Sequence, residues 1–143
     1  MPRHTTIPET KILATILPTR PWSPTQTKIR VLVDPVGGRG KSWFIRKYLS
    51  TNQRAQCLSI GKRDDLAHAI DDTCHVILFF IPRTAAEFLQ YAILEQLKDR
   101  LVFSCKYHST VKILERTPHV IVLMNEEPYM TKLTKDRYII KNL

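Results

Sequence analysis

Three of the chain's four glycines, Gly37, Gly38 and Gly40, are packed around Arg39 and followed at once by Lys41 and Ser42. Residue types in this order suit the capture of phosphate. Glycines let a loop curl with its backbone N–H groups turned inward, and a helix N-terminus adds partial positive charge, so together they can hold a polyphosphate. On this reading Gly37, Gly38, Arg39, Gly40, Lys41 and Ser42 form a cradle. The Lys41 ammonium reaches the β- and γ-phosphates, and the Ser42 hydroxyl ligates Mg2+. The strict template G-x-x-x-x-G-K-[ST] is not met, because Pro35 stands six residues before Lys41. The alternative is a glycine-rich turn that merely precedes Lys-Ser.

The mechanism needs a strand before the loop and a helix after it. Ile29, Val31 and Val33 supply the first, and the apolar spacing of Trp43, Phe44, Tyr48 and Leu49 supplies the second. Beyond the loop, apolar strands alternate with helices, as in α/β proteins. The pattern predicts strands over 29–34, 55–60, 75–81, 119–124 and 137–141, helices over 41–50, 63–71 and 84–98, and a two-stranded hairpin over 101–114. The runs His75 to Ile81 and His119 to Met124 are continuously apolar, which suits strands covered on both faces of a parallel sheet. The expected fold is therefore α/β: a P-loop core with a central, mostly parallel sheet flanked by helices, plus a β-hairpin insertion. In such sheets ligands lie beyond the carboxyl ends of the strands, just after residues 34, 81 and 124.

With 143 residues and 43% hydrophobic content, the chain can bury one sizeable core. Residues 1–27 read as a basic, proline-rich arm or linker, since Pro2, Pro8, Pro18, Pro21 and Pro24 interrupt any long helix. Residues 28–143 form the domain. A formal charge of +9, from 22 Lys and Arg against 13 acids, favours a polyanionic partner such as nucleic acid. Cys57, Cys74 and Cys105 lack zinc-ligand spacing and are expected to be reduced and mostly buried, which fits an intracellular protein. No segment has the length and apolarity of a membrane span, nor does the start read as a signal peptide.

Other positions carry weaker signals. At the end of the third strand, where a nucleotide-driven motor places an Asp that supports Mg2+, the sequence reads Phe79-Phe80-Ile81-Pro82-Arg83 and offers no carboxylate. Asp71 and Asp72 precede that strand and read as a helix end or cap; Glu87 lies one helical turn beyond it. Asn125 closes the run after residue 124, where its amide could orient water against a γ-phosphate or simply form a turn. Lys106 and Tyr107 sit at the hairpin tip, offering a phosphate contact and a stacking face for single-stranded nucleic acid, or else an ordinary solvated hairpin. Arg137 reads either as a surface ion pair with Asp136 or as an arginine finger for a neighbouring subunit.

Taken jointly, Asp34-Pro-Val-Gly-Gly-Arg-Gly-Lys-Ser42, Ile81-Pro-Arg83, Leu94-Glu-x-x-Lys98, Lys106-Tyr107, His119-Val-Ile-Val-x-x-Asn125-x-x-Pro128 and Asp136-Arg137 resemble the helicase half of replication-associated proteins of small circular single-stranded DNA viruses. The nanovirus-like and alphasatellite-like branch is the most similar, and Arg20-Pro21-Trp22 matches the linker into that domain. The resemblance covers residues 20 to the end. It implies an AAA+-like superfamily 3 ATPase that uses ATP and Mg2+, assembles as a homo-oligomeric ring and moves along single-stranded DNA, with RNA as the alternative polymer. The implied location is the host nucleus. By position Lys41 and Ser42 would bind nucleotide and metal, Asn125 would be the sensor, Arg137 the finger, and Lys106 would contact DNA. Two positions depart from the family pattern: Asp34 stands where a Gly opens the loop, and Phe80 where an Asp ends the third strand. Both changes weigh against fast hydrolysis. Family members also carry an N-terminal endonuclease with a His pair and a Tyr, for which residues 1–20 offer only His4. Nicking and joining are not expected, as in a fragment, a separately encoded helicase half or a copy captured by a host genome.

Three functions therefore compete. The first is an ATP-driven motor on single-stranded nucleic acid, in which Glu87, Glu126 or water replaces the missing Asp. The second is a module that binds nucleotide or nucleic acid without efficient hydrolysis. A P-loop kinase for a small metabolite ranks third, because no Arg-rich lid follows the sheet.

Overall fold

The computed structural model describes residues 28–35, 41–82, 85, 89–126, 128 and 137–142. The arm read over 1–27, the loop residues 36–40, and Arg83, Glu87 and Asp136 lie outside the described residues. Seven strands are present among the described residues: β1 (Ile29–Val33), β2 (Ala55–Leu58), β3 (Val76–Phe80), β4 (Leu101–Ser104), β5 (Thr110–Ile113), β6 (His119–Met124) and β7 (Tyr138–Asn142). Three helices, α1 (Lys41–Thr51), α2 (Arg63–Ala69) and α3 (Tyr91–Asp99), connect them.

Five strands form one sheet in the order β2-β3-β6-β1-β7, and every neighbouring pair is parallel. The expected α/β class with a separate hairpin is therefore the observed one. Side chains alternate between the faces, and both faces are covered. Ile29, Val31, Val33, Ile77, Phe79, Val120, Val122 and Met124 meet Leu66 and Ala67 of α2 and Ile93, Leu94 and Leu97 of α3. The other face presents Leu32, Val76, Leu78, Ile121 and Leu123 to Phe44 and Ile45 of α1. Double coverage explains why β3 and β6 show no polar alternation. Each such side chain, fully buried, contributes about 1.5–3 kcal/mol.

Several boundaries differ from expectation. The helix predicted from residue 84 begins at Tyr91: Gln90 has φ −87° and ψ 85°, outside the helical region, and its side chain donates to the Gly61 carbonyl at 2.9 Å. Helix α2 stops at Ala69 because Ile70 is extended and Asp71 forms a local turn, accepting from the Thr73 amide at 2.9 Å and hydroxyl at 2.7 Å. Asp71 therefore closes a local turn just past the helix, where the sequence reads a helix end or cap. Among the cysteines Cys74 is buried and Cys57 half-buried, but Cys105 is exposed, contrary to the expectation of mostly buried thiols.

The hairpin is antiparallel, with Leu101 opposite Ile113 and Phe103 opposite Val111. Val102 and Ser104 turn inward, while Leu101, Phe103, Val111 and Ile113 form an exposed apolar face. Its seat on the helices combines the buried Val102 with polar contacts. Lys112 Nζ donates to the carbonyls of Ala67 at 2.9 Å and Ile70 at 2.8 Å and to that of His68, capping the end of α2. Gln96 accepts the Phe103 amide at 3.0 Å. Arg100 leaves α3 in the left-handed region at φ 64°, and its guanidinium donates to the Leu114 carbonyl at 2.9 and 3.1 Å. Those bonds to the base of the hairpin offset the conformational cost of a non-glycine residue there.

Candidate functional site

Parallel pairing puts the carboxyl ends of β1, β3 and β6 on one edge of the sheet, where Asp34, Ile81 and Asn125 follow the strands. Val33 is in register with Met124. The next rung continues the ladder: the Asp34 amide donates to the Met124 carbonyl at 2.9 Å, and the Ile81 amide to the Leu123 carbonyl at 2.9 Å. Asn125 then reaches across, its Nδ2 donating to the Asp34 carbonyl at 3.1 Å. The backbone at residue 34 is therefore held from both its N–H and its C=O.

Lys41 opens α1, and its Nζ lies 3.1 Å from Asp34 Oδ2. Both groups are withdrawn from water, with 6% of Lys41 and 0% of Asp34 exposed. Desolvated charges persist only when paired, so this contact ties the two ends of the glycine loop together. The sequence placed Lys41 and Asn125 at one locus, and the structure does bring both to the strand-end edge through Asp34. Gly37, Gly38, Arg39 and Gly40 lie outside the described residues. Ser42 is exposed on the first turn of α1.

At the end of β3, Phe80 is half-buried and packs against the α1 side of the core, while its carbonyl accepts the Ser59 hydroxyl at 2.7 Å. Phe80, Ile81 and Pro82 put no carboxylate beside Lys41. Among the described residues no group of three His, Cys, Asp or Glu side chains is placed to hold a metal ion. The buried carboxylate at this edge among the described residues is Asp34, at the end of β1; Glu126, after β6, is exposed. The pairing of Asp34 with Lys41 is the feature that spacing did not reveal; the signal available was a carboxylate seven positions before the lysine.

Arg137 lies at the amino end of β7, the edge opposite Lys41. Its guanidinium binds Asp99 at 2.8 Å and approaches Glu95 at 3.5 Å, both on α3. It does not reach the Lys41 site of its own chain. At that same edge Lys98 is buried and donates to the Pro118 carbonyl at 2.6 Å. Burial, with Arg30 and Arg137 near, pushes its ammonium down to about 7. His119 is pushed down to about 4 by burial and by Lys98 and Arg30. A cleft of about 460 Å3 lined by Tyr48, Asn52, Arg54 and His75 also opens at the amino ends of β2 and β3, away from Lys41.

At the hairpin tip Tyr107 is 80% exposed, with φ 71°, and stands edge-on to His68 at 5.2 Å. Lys106 Nζ lies 5.3 Å from the Tyr107 ring centre and 2.7 Å from Asp65 Oδ1 on α2. That hydrogen bond holds the Asp65 carboxyl below, and the Lys106 ammonium above, their ordinary ranges. The two tip residues are thus together, as expected, with Lys106 tethered to a helix. An exposed ion pair of this kind is weak enough to exchange for another anion.

No family model matches the chain. Whole-sequence comparison does find relatives. The chain is 39% identical over 117 residues to the Para-Rep C3 of the Milk vetch dwarf C3 alphasatellite, covering 80% of this chain and 41% of that protein. It is 35% identical over 137 residues to the Para-Rep C7 of the Faba bean necrotic yellows C7 alphasatellite, covering 86% and 48%. The Master replication protein of Subterranean clover stunt virus (strain F) is 37% identical over 106 residues, covering 74% and 36%. The chain spans less than half the length of these relatives.

Proposed function

Because the chain is homologous to part of the replication-associated proteins of single-stranded DNA viruses and their satellites, we propose that it is an ATP-binding, helicase-like domain coupling ATP hydrolysis to movement on single-stranded DNA. The observation that carries this reading is the position of Lys41. It stands at the first residue of the helix that follows β1, at the edge where parallel sheets bind ligands, and shares Asp34 with Asn125, which follows β6.

The residues fit a triphosphate with Mg2+. Lys41 supplies the ammonium, the exposed Ser42 a hydroxyl for the metal, and the start of α1 a partial positive charge. When bound, ATP supplies the phosphoanhydride whose cleavage drives movement. Within the chain, Lys41 binds and orients the phosphates, and Asn125 holds the start of the loop while presenting its amide at the strand end. In a ring, Arg137 would leave its pair with Asp99 to serve the site of a neighbouring subunit. Lys106 and Tyr107 would meet the DNA as one cation and one stacking face.

A second reading has specific support. Phe80 leaves the end of β3 without a carboxylate, and Asp34 already occupies Lys41. Both features favour a module that binds nucleotide or nucleic acid and hydrolyses little. Phosphate release from ATP with Mg2+, with and without single-stranded DNA, separates the two. DNA-stimulated turnover that vanishes in Lys41→Ala supports the motor. Nucleotide binding without turnover supports the module, and Phe80→Asp then recovers rate. Equal nucleotide binding by the wild type and Lys41→Ala rules out both forms of the nucleotide site.

A further inference from the structure

We propose that the Asp34 carboxylate is the resident counter-ion of the loop lysine, holding Lys41 until a nucleoside triphosphate displaces it and thereby setting the affinity of the site. This rests on the nucleotide reading above and adds the residue that tunes it.

Two observations and one electrostatic argument support it. The carboxylate is fully buried and 3.1 Å from an ammonium that is itself 6% exposed, so a phosphate that claims Lys41 must compete with a preformed partner. Asp34 is also the less mobile of the two. Its amide is bonded to Met124 and its carbonyl to Asn125, whereas Lys41 carries its charge on a four-carbon stem with several rotatable bonds. The lysine is therefore the member that turns towards an incoming phosphate. Finally, an anion beside Asp34 meets a like charge in a poorly solvated place, which disfavours binding until Mg2+ compensates it.

The pair thus acts as a brake on nucleotide capture. The backbone bonds of residue 34 do not involve its side chain, so the carboxylate can be removed while both bonds are kept.

The test is equilibrium binding of fluorescent ATP with Mg2+ to the wild type, Asp34→Asn, Asp34→Gly, Lys41→Ala and Lys41→Ala/Asp34→Asn. A charge-assisted hydrogen bond that no longer has to be broken corresponds to a gain of roughly ten- to a hundredfold in affinity for both Asp34 variants. Neither Lys41→Ala chain should show this gain. Unchanged or weaker binding by Asp34→Asn and Asp34→Gly, with binding still lost in Lys41→Ala, overturns the counter-ion role and leaves the nucleotide site standing. If that weakening is confined to Mg2+-containing buffer, the carboxylate is instead a metal ligand, which equally overturns the proposal. Nucleotide binding by no chain, or equal binding by Lys41→Ala and the wild type, defeats the nucleotide reading and this inference with it. Should the Asp34 variants fail to fold, carbon NMR of the wild type decides. The Asp34 carboxylate resonance must move when ATP and Mg2+ bind, and an unmoved signal under saturating nucleotide overturns the proposal.

Discussion

Replacing Lys41 with Met keeps most of the side-chain volume and deletes the ammonium that lies 3.1 Å from the fully buried Asp34 carboxylate. Taking away one member of a buried pair costs about 3–5 kcal/mol, because a charge is left in a medium that solvates it poorly. Small domains unfold with about 5–15 kcal/mol in hand, so this is a large fraction of the total. With a urea dependence of about 2 kcal/mol per molar, the unfolding midpoint of Lys41→Met should fall by about 2 M. Far-ultraviolet circular dichroism against urea measures it directly. The double variant Lys41→Met/Asp34→Leu removes both charges and should recover most of the loss, since an apolar pair of similar size replaces a buried ion pair at little cost. A loss below about 1 kcal/mol in Lys41→Met would class the contact with exposed pairs. A double variant less stable than either single would refute the buried-pair reasoning altogether.

Three further substitutions have expected outcomes. Lys98 is pulled from 10.5 to about 7 by burial, Arg30 and Arg137. From about pH 7 to pH 10 the unfolded chain therefore holds a proton that the folded chain lacks, and stability rises with pH by up to about 1.4 kcal/mol per unit; Lys98→Met should flatten this rise in urea titrations run across that window. Lys106→Ala should leave the melting temperature nearly unchanged, because its pair with Asp65 is exposed. The same substitution should lower the slope of log affinity for single-stranded DNA against log salt by about 0.7, one phosphate's worth. Lys112→Met uncaps α2, leaving the carbonyls of Ala67, His68 and Ile70 without their ammonium donor, and should cost about 1–2 kcal/mol in the same titrations.

The central sheet was legible because its signal is local. The unbroken apolar runs of β3 and β6 follow directly from coverage on two faces, and a parallel sheet sends the residues after its strands to one edge. That is why the sequence alone brings Lys41 and Asn125 to one locus. Less legible were features that depend on what approaches from elsewhere in the chain. The start of α3 shifts to Tyr91 where Gln90 bonds Gly61, a contact invisible to helical spacing. Arg100 turns left-handed with no glycine to announce it, because Leu114 rewards the turn. Strand alternation gave the hairpin two faces, but only the packing of α2 and α3 decides that Leu101, Phe103, Val111 and Ile113 are the outer ones. The sequence offers Arg137 its neighbour Asp136, which lies outside the described residues, and gives no sign of the partners on α3, Asp99 and Glu95.

The sheet order also governs when the site can exist at all. β1 has β6 on one side and β7 on the other, and the bond between Asn125 and Asp34 spans 91 positions. Contacts this distant in the chain close late and slowly. As the polypeptide leaves the ribosome, β1 and the glycine loop emerge long before either flanking strand. Until β6 follows, β1 has no strand on either edge, and its unpaired backbone is open to chaperones and to aggregation. A nascent chain halted before residue 119 therefore carries the Lys-Ser signature but has no lateral wall against which to build a binding site.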